Sequence, residues 1–261
     1  MSDYATIRAT SDGHVTTITL ARPDRMNALT PRLFAEAGAA IDAAIAGGCR
    51  ALVLTGEGKA FCSGADLTGD PGESLPDDLG ALLDKHYNPF VRKVAALDIP
   101  VVTAINGPAV GAGLGLALLG DITVMARSAY LLLAFVNIGL VPDAGSTWLV
   151  AKGAGRAKAL EMALLGERMT AAEAQAAGLV TRVANDDAVL AEAQAIAAKL
   201  AAGPVIAVGM IRKQVAAALN LTLDETLAVE RANQSRAGFT RDFREAVAAF
   251  GEKRPPRFEG C

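Results

Sequence analysis

Two β-branched segments open the chain: YATIRAT (4–10) and VTTITLA (15–21), separated by SDGH, read as a hairpin. Thr30 then caps, and Pro31 opens, a helix running to about Ala46, with Leu33, Phe34, Ala37, Ile41 and Ile45 on one face. The unbroken apolar run ALVLTG predicts a buried strand. The alternation continues through IPVVTAIN (99–106), an Ala/Gly-rich helix at about 111–119 and DITVMA (121–126). Strands alternating with helices predict an α/β fold with mainly parallel pairing. From Ala144 onward the spacing turns helical almost throughout. STWLVAKGAG and RAKALEMALLG come first, and Thr170–Glu173 forms a capping box opening TAAEAQAAG. GLVTRVA supplies one short strand. Residues 187–201, 204–219, 223–235 and 240–250 read as helices, one of them opened by a Thr222–Glu225 box. The prolines of KRPPRFEGC forbid a helix at the end. TGDPGESLPDD (68–78) is acidic and turn-rich, a mobile-loop pattern.

Composition narrows the chemistry. With 52% hydrophobic and 20% charged residues, the 261-residue chain reads as globular. A net charge of −3 gives no nucleic-acid footprint. No long uncharged apolar run predicts a membrane span, and the start lacks a signal-peptide pattern, so a cytoplasmic location is the default. Cys49, Cys62 and Cys261 show no metal or disulfide spacing. His14 and His86 lie far apart, which leaves acid–base work to carboxylates.

Three glycine-punctuated turns can carry that chemistry, and each has an ordinary reading beside the functional one. In GKAFCSGADL (58–67), Gly64 allows positive φ and can turn backbone amides outward; otherwise the stretch is a loop. In INGPAVGAGLGLALLGD (105–121), glycines open a helix whose first amides are free to bind an oxyanion; otherwise they serve tight packing. In GLVPDAGSTW (139–148), Asp143 follows a proline, the ordinary setting of a turn or cap residue. Burial there would raise its pKa and make it a usable base.

Taken in order with ARPDRMNAL (21–29) and the terminal FGEKRPPRF, these motifs resemble the crotonase (enoyl-CoA hydratase/isomerase) superfamily over essentially the whole chain. The resemblance implies a spiral core of ββα units (1–195) with an acyl-CoA site, and a helical C-terminal trimerisation region (196–261). It implies an acyl-CoA thioester substrate, no cofactor beyond the coenzyme A of that substrate, and a trimer or dimer of trimers. The amides of Ala65 and Ala112 would bind the thioester oxygen. Arg25, Met26, Ala28, Asp66 and Leu67 would lie along the coenzyme A portion, mostly through backbone. Lys253 would reach a phosphate from the C-terminal tail. Gly111, Phe135, Leu140 and Trp148 would line the acyl side.

One departure is informative. Family hydratases carry two glutamates, and the matching positions here are Gly115 and Phe135. Neither side chain can activate water or deliver a proton. Isomerising members instead place one carboxylate at the turn of Asp143. Those that rearrange ring-1,2-epoxyphenylacetyl-CoA to its oxepin form also share the YNPxVR segment (87–92) and the pattern of 141–149. Three other readings remain: a hydratase with unusual catalytic residues, an aryl-CoA dehalogenase using aspartate as nucleophile, and a non-catalytic acyl-CoA binder. Cys62 reads as a small buried hydrophobe and Asp121 as a turn anchor; His86 and Tyr87 take the ordinary structural reading too, with contact to the acyl group as the alternative.

Overall fold

The computed structural model describes residues 4–68 and 77–260, so most of the 68–78 stretch and Cys261 lie outside the described residues. The predicted hairpin forms between β1 (Ile7–Asp12) and β2 (Val15–Leu20), in register from Ile7 opposite Leu20 to Asp12 opposite Val15. β3 (Ala51–Gly56), β4 (Val101–Ile105), β6 (Ile122–Ala126) and β9 (Arg182–Ala184) extend it in parallel, in the order β1-β2-β3-β4-β6-β9. Every residue of β3 and β4 is buried, which is why these strands read as continuous apolar runs. β5 (Ala109–Val110), β7 (Tyr130–Leu132) and β8 (Met169–Thr170) make a second, three-stranded sheet that the sequence did not predict. Strands of two or three residues are too short to show a period.

The helices in chain order are α1 (Pro31–Ala46), α2 (Leu79–Leu82), α3 (Asn88–Ala96), α4 (Ala112–Ala117), α5 (Ser146–Leu165), α6 (Ala171–Ala176), α7 (Val189–Ala201), α8 (Val205–Ala218), α9 (Leu223–Gly238) and α10 (Arg241–Glu252). Thr30 caps α1 by accepting the Leu33 amide at 3.2 Å. Leu33, Phe34, Ala37, Ala40 and Ile41 are buried, whereas Ile45 in the last turn is exposed. The α2–α3 segment, joined by a π turn at Leu83–Tyr87, has no counterpart in the sequence prediction. Pro89, which has no amide hydrogen to donate, sits where the π turn passes into α3 within a continuous helical run, and the widened turn, with the Asn88 amide on the Leu83 carbonyl, accommodates it. α5 holds the two predicted helical segments, parted at Gly155 (φ 80°, ψ 166°). Both capping boxes form with reciprocal bonds.

α7 lies across β2, β3, β4 and β6. Its buried stripe, Val189, Ala193, Ala197 and Ala201, recurs every four residues, and the small alanines let the helix sit close to the sheet. α8 is tied down by Arg212, whose guanidinium binds Asp121 at 2.8–2.9 Å and the carbonyls of Val94, Ala95 and Leu97. Asp121 also accepts the Val101 amide at 2.7 Å, so it anchors the junction. The tail after α10 is non-helical: buried Asp242 accepts the Glu259 and Gly260 amides, and Arg50 donates to the carbonyls of Gly203 and Phe258. Phe239, Phe243, Val247 and Phe250 leave apolar surface exposed along α9 and α10.

Candidate active site

The first turn is clamped. Asn27 is fully buried with φ 56°; its amide donates to the carbonyls of Glu57 and Ala60, and its Oδ1 accepts the Arg22 amide. Arg22 Nη1 donates to the Ala28 carbonyl at 2.5 Å and Nη2 to Asp66 Oδ2 at 2.9 Å. Burial pulls the Asp66 pKa up, but hydrogen bonds from Thr68 and Arg22 outweigh it and leave the carboxyl below its ordinary value. The 21–29 and 62–68 segments are thereby locked together through a pair whose side chains are 12% and 6% exposed.

That lock aims an amide. Leu29 donates to the Gly64 carbonyl at 2.7 Å and accepts from the Asp66 amide at 2.9 Å. In such a parallel bridge the intervening Ala65 points its own N–H the other way. Gly64 sits at φ 94°, and a Cβ there would lie 2.9 Å from the Val110 carbonyl and 3.6 Å from the Ala112 nitrogen, so only glycine permits this approach. On the second turn, Val110 donates to Cys62 at 2.9 Å and Gly111 to Leu132 at 2.8 Å, while Ala112 starts α4, where an amide has no helical partner. Among the described residues no protein acceptor is found for the amides of Ala65 and Ala112. Two neighbouring free amides can share one anionic oxygen.

The third turn holds Asp143. Ala144 (φ 50°) and Gly145 (φ 76°, ψ 0°) form a type I′ turn closed by the Ser146 amide on the Asp143 carbonyl at 2.9 Å. The Ser146 hydroxyl adds a second bond to that carbonyl at 2.7 Å. The left-handed alanine costs roughly 1–2 kcal/mol, the kind of strain that gathers at functional sites. Asp143 Oδ1 is buried without a hydrogen-bond partner. Burial pushes the carboxyl up to about 6, only partly offset by its own backbone amide. Burial also drives the Tyr87 hydroxyl up, and negative charge on Asp143, Cys62 and Asp66 adds to it. The Cys62 thiol is pushed up to about 12 by burial, so it stays protonated and packs as a small hydrophobe.

α4 brings the turns together: Gly113 faces Cys62 and Gly115 faces Ala144, each with backbone too close for a side chain. The Phe135 ring, 6% exposed, lies against Gly111. Leu140 is exposed, Ala28 is buried, and Arg25, Met26 and Leu67 are exposed beside the first turn. Trp148 lines a cavity of about 590 Å³ between α3, α5 and α8, whose lining includes Gly145 and Leu149 but none of Asp143, Ala65, Ala112 and Phe135. Lys253 caps α10 in a left-handed conformation (φ 55°) on the exposed surface. The sequence reading missed Arg22, Asn27 and Ser146. The Asp-x-x-Ser spacing could have signalled Ser146; nothing local links Arg22 to a partner 44 positions on.

The sequence pattern of the family described as "Enoyl-CoA hydratase/isomerase" matches residues 10–261. The chain belongs to the enoyl-CoA hydratase/isomerase family. It is 42% identical over 254 residues to the 1,2-epoxyphenylacetyl-CoA isomerase of Escherichia coli K12, covering 94% of this chain and 95% of that one. It is also 42% identical over 257 residues to a "Probable enoyl-CoA hydratase" of Rhodobacter capsulatus, covering 98% and 99%. The crystal structure of an enoyl-CoA hydratase subunit I from Geobacillus kaustophilus HTA426 superposes with a TM-score of 0.92 at 35% identity and full coverage of both chains. The crotonase fold expected from the motifs is therefore present. The relatives of this enoyl-CoA hydratase/isomerase family member carry both reaction names at equal identity, so the choice between them falls to the chemistry of the site.

Proposed function

We propose that this chain is an acyl-CoA isomerase that moves a 3-enoyl double bond to the 2-position, or rearranges a ring-1,2-epoxyphenylacetyl thioester to its oxepin form, through an enolate. The observation that carries the reading is Asp143: a half-buried carboxyl with an unpartnered Oδ1, raised to about 6 by burial, whereas Asp66, the other carboxylate described at the site, is held by Arg22. The positions where hydration would need glutamates hold Gly115, which has no room for a side chain, and the apolar ring of Phe135.

In this scheme the thioester oxygen sits between the amides of Ala65 and Ala112. Asp143, ionised above pH of about 6, takes a proton from the carbon next to the thioester. The electron pair moves onto the oxygen, and the two amides stabilise that charge, each contributing about 3–4 kcal/mol by the measure of other such sites. Asp143 then returns the proton two carbons further along, leaving the 2-enoyl product. One base serves both steps, because no water is added. Phe135, Leu140 and Gly111 face the acyl side, with Trp148 in the adjoining cavity. The coenzyme A portion runs along Arg25, Met26, Ala28, Asp66 and Leu67, where Asp66 offers its backbone because its carboxylate is taken by Arg22. Lys253 supplies a charge for a phosphate.

The scheme calls for no cofactor beyond the coenzyme A of the substrate. The same reading keeps a trimer or dimer of trimers in the cytoplasm, with 196–261 as the assembly region; the bare apolar stripe Phe243, Val247 and Phe250 supports it.

The test is incubation with a 3-enoyl-CoA in deuterated buffer, with crotonyl-CoA hydration measured beside it. Isomerisation should dominate and fall by about a thousandfold or more in Asp143→Asn, equivalent to roughly 4 kcal/mol. Fast hydration untouched by Asp143→Asn would overturn the proposal.

A further inference from the structure

α4 is wedged between two turns. On one side a Cβ built at Gly113 would lie 2.5 Å from the Cys62 carbonyl and 2.8 Å from its Sγ. On the other, a Cβ at Gly115 would lie 2.6 Å from the Ala144 carbonyl oxygen, 3.1 Å from its Cβ and 3.3 Å from its carbonyl carbon. Residues two apart on a helix point to nearly opposite sides, so the bare helix backbone spans the gap between the Cys62–Ala65 turn and the Asp143–Ala144 turn. Neither turn can retreat freely. Cys62 is held by its Sγ on the Asn27 carbonyl at 3.1 Å and by the Val110 amide. The Asp143 turn is closed on itself by two hydrogen bonds from Ser146, a fully buried residue at the start of α5, so it moves only as a unit.

We propose that Gly115 is a positioning residue: its missing side chain seats the strained Asp143–Ala144 turn against α4 and sets the distance from the Asp143 carboxyl to the Ala65 and Ala112 amides. This rests on Asp143 being the base of the reaction proposed above. Any side chain at 115 would have to displace the Ala144 backbone, and with it the aspartate. Ala144 is the partner in this fit, because its Cβ meets Gly115 and its left-handed φ is the cost of bringing the carbonyl there.

The experiment uses the full chain carrying Gly115→Ala, Ala144→Gly and both. It reads kcat and KM for 3-enoyl-CoA isomerisation. Without any turnover, it also reads the Asp143 titration by carboxyl carbon NMR, assigned by its loss in Asp143→Asn. In Gly115→Ala, kcat should fall by about a hundredfold with KM nearly constant, the penalty of an ångström-scale misplacement. The Asp143 titration should move from about 6 toward the ordinary carboxylate range as the turn lifts away from the helix. Adding Ala144→Gly removes the Cβ contact and should restore part of kcat. Ala144→Gly alone should keep or raise Tm, since glycine relieves the left-handed strain, yet lower kcat several-fold by loosening the turn; a purely structural role would move both the same way. A folded Gly115→Ala protein with kcat and the Asp143 titration unchanged overturns the proposal. If Gly115→Ala does not fold, Ala144→Gly decides: raised Tm with kcat unchanged overturns it equally. Should the wild-type chain not isomerise 3-enoyl-CoA, the reaction assignment falls, while the titration in the same variants still decides the positioning role.

Discussion

Asp66 and Asp143 stand on neighbouring turns of one site, and their surroundings send them in opposite directions. Both lose solvent, and burial is the largest influence on each. Asp66 is met by Arg22 and Thr68, so its charge is held and its pKa falls. Asp143 meets no donor for Oδ1 and rises to about 6. What separates an anchor from a base is therefore the second group and not the depth of burial.

Amide substitution should break the comparison most sharply. Asp143→Asn should remove the proposed isomerase activity while leaving the fold intact. Asp66→Ala should do the reverse in character, costing about 2 kcal/mol of stability by removing one charged partner of the buried guanidinium, as a denaturant titration would read. Loss of activity in Asp66→Ala at unchanged stability would contradict the anchor assignment.

Acidity sharpens it next. Because the native state holds the Asp143 proton up to about 6, stability from this group declines as pH rises from about 4 to 6 and is then level. Asp143→Asn should therefore be more stable than the wild type at pH of about 8, by on the order of 1–2 kcal/mol after solvent screening, with no gain below pH of about 4. Asp66 acts in the opposite sense: its lowered pKa adds stability above the ordinary carboxylate range that is lost as the pH falls through the lowered value. Thermal melts across pH on the single and double variants separate the two. The kcat profile should rise through about 6 as Asp143 ionises; a flat profile there would remove Asp143 as the base.

The smallest effect lies furthest from both turns. Lys253→Gly should stabilise α10 by about 1 kcal/mol, because Lys253 sits at φ 55°. If Lys253 meets a coenzyme A phosphate, the same change raises KM and leaves kcat alone; an unchanged KM would leave it a helix cap only.

Much of this arrangement was legible in the sequence because its signals are local. The hairpin, the Thr30–Pro31 start of α1 and both Thr-x-x-Glu boxes depend on residues within a few positions of one another. The three glycine-punctuated turns were legible for the same reason, and so was the oddity of Asp143. What escaped is long-range or sub-residue. The ion pair that fixes the Asp66 carboxylate was not legible, because Arg22 is invisible from its neighbourhood. Trp148 read as pocket lining by proximity to Asp143, yet the first turn of α5 carries it into the cavity beside α8. The strain at Ala144 and the fit of Gly115 are set by backbone distances that no residue type announces. α2 and α3 hid behind a proline that the π turn at Leu83–Tyr87 accommodates.

The alanine stripe of α7 has a consequence for how the protein is made. The strands it covers, β2, β3, β4 and β6, are complete once Ala126 has left the ribosome, but the cover spans Val189–Ala201. Through that interval of synthesis the apolar sheet face has no lid, and nascent chains in that state are prone to stick to one another. Chains cut short before Val189 should accumulate as aggregates, while those extended past Ala201 should be recovered in solution.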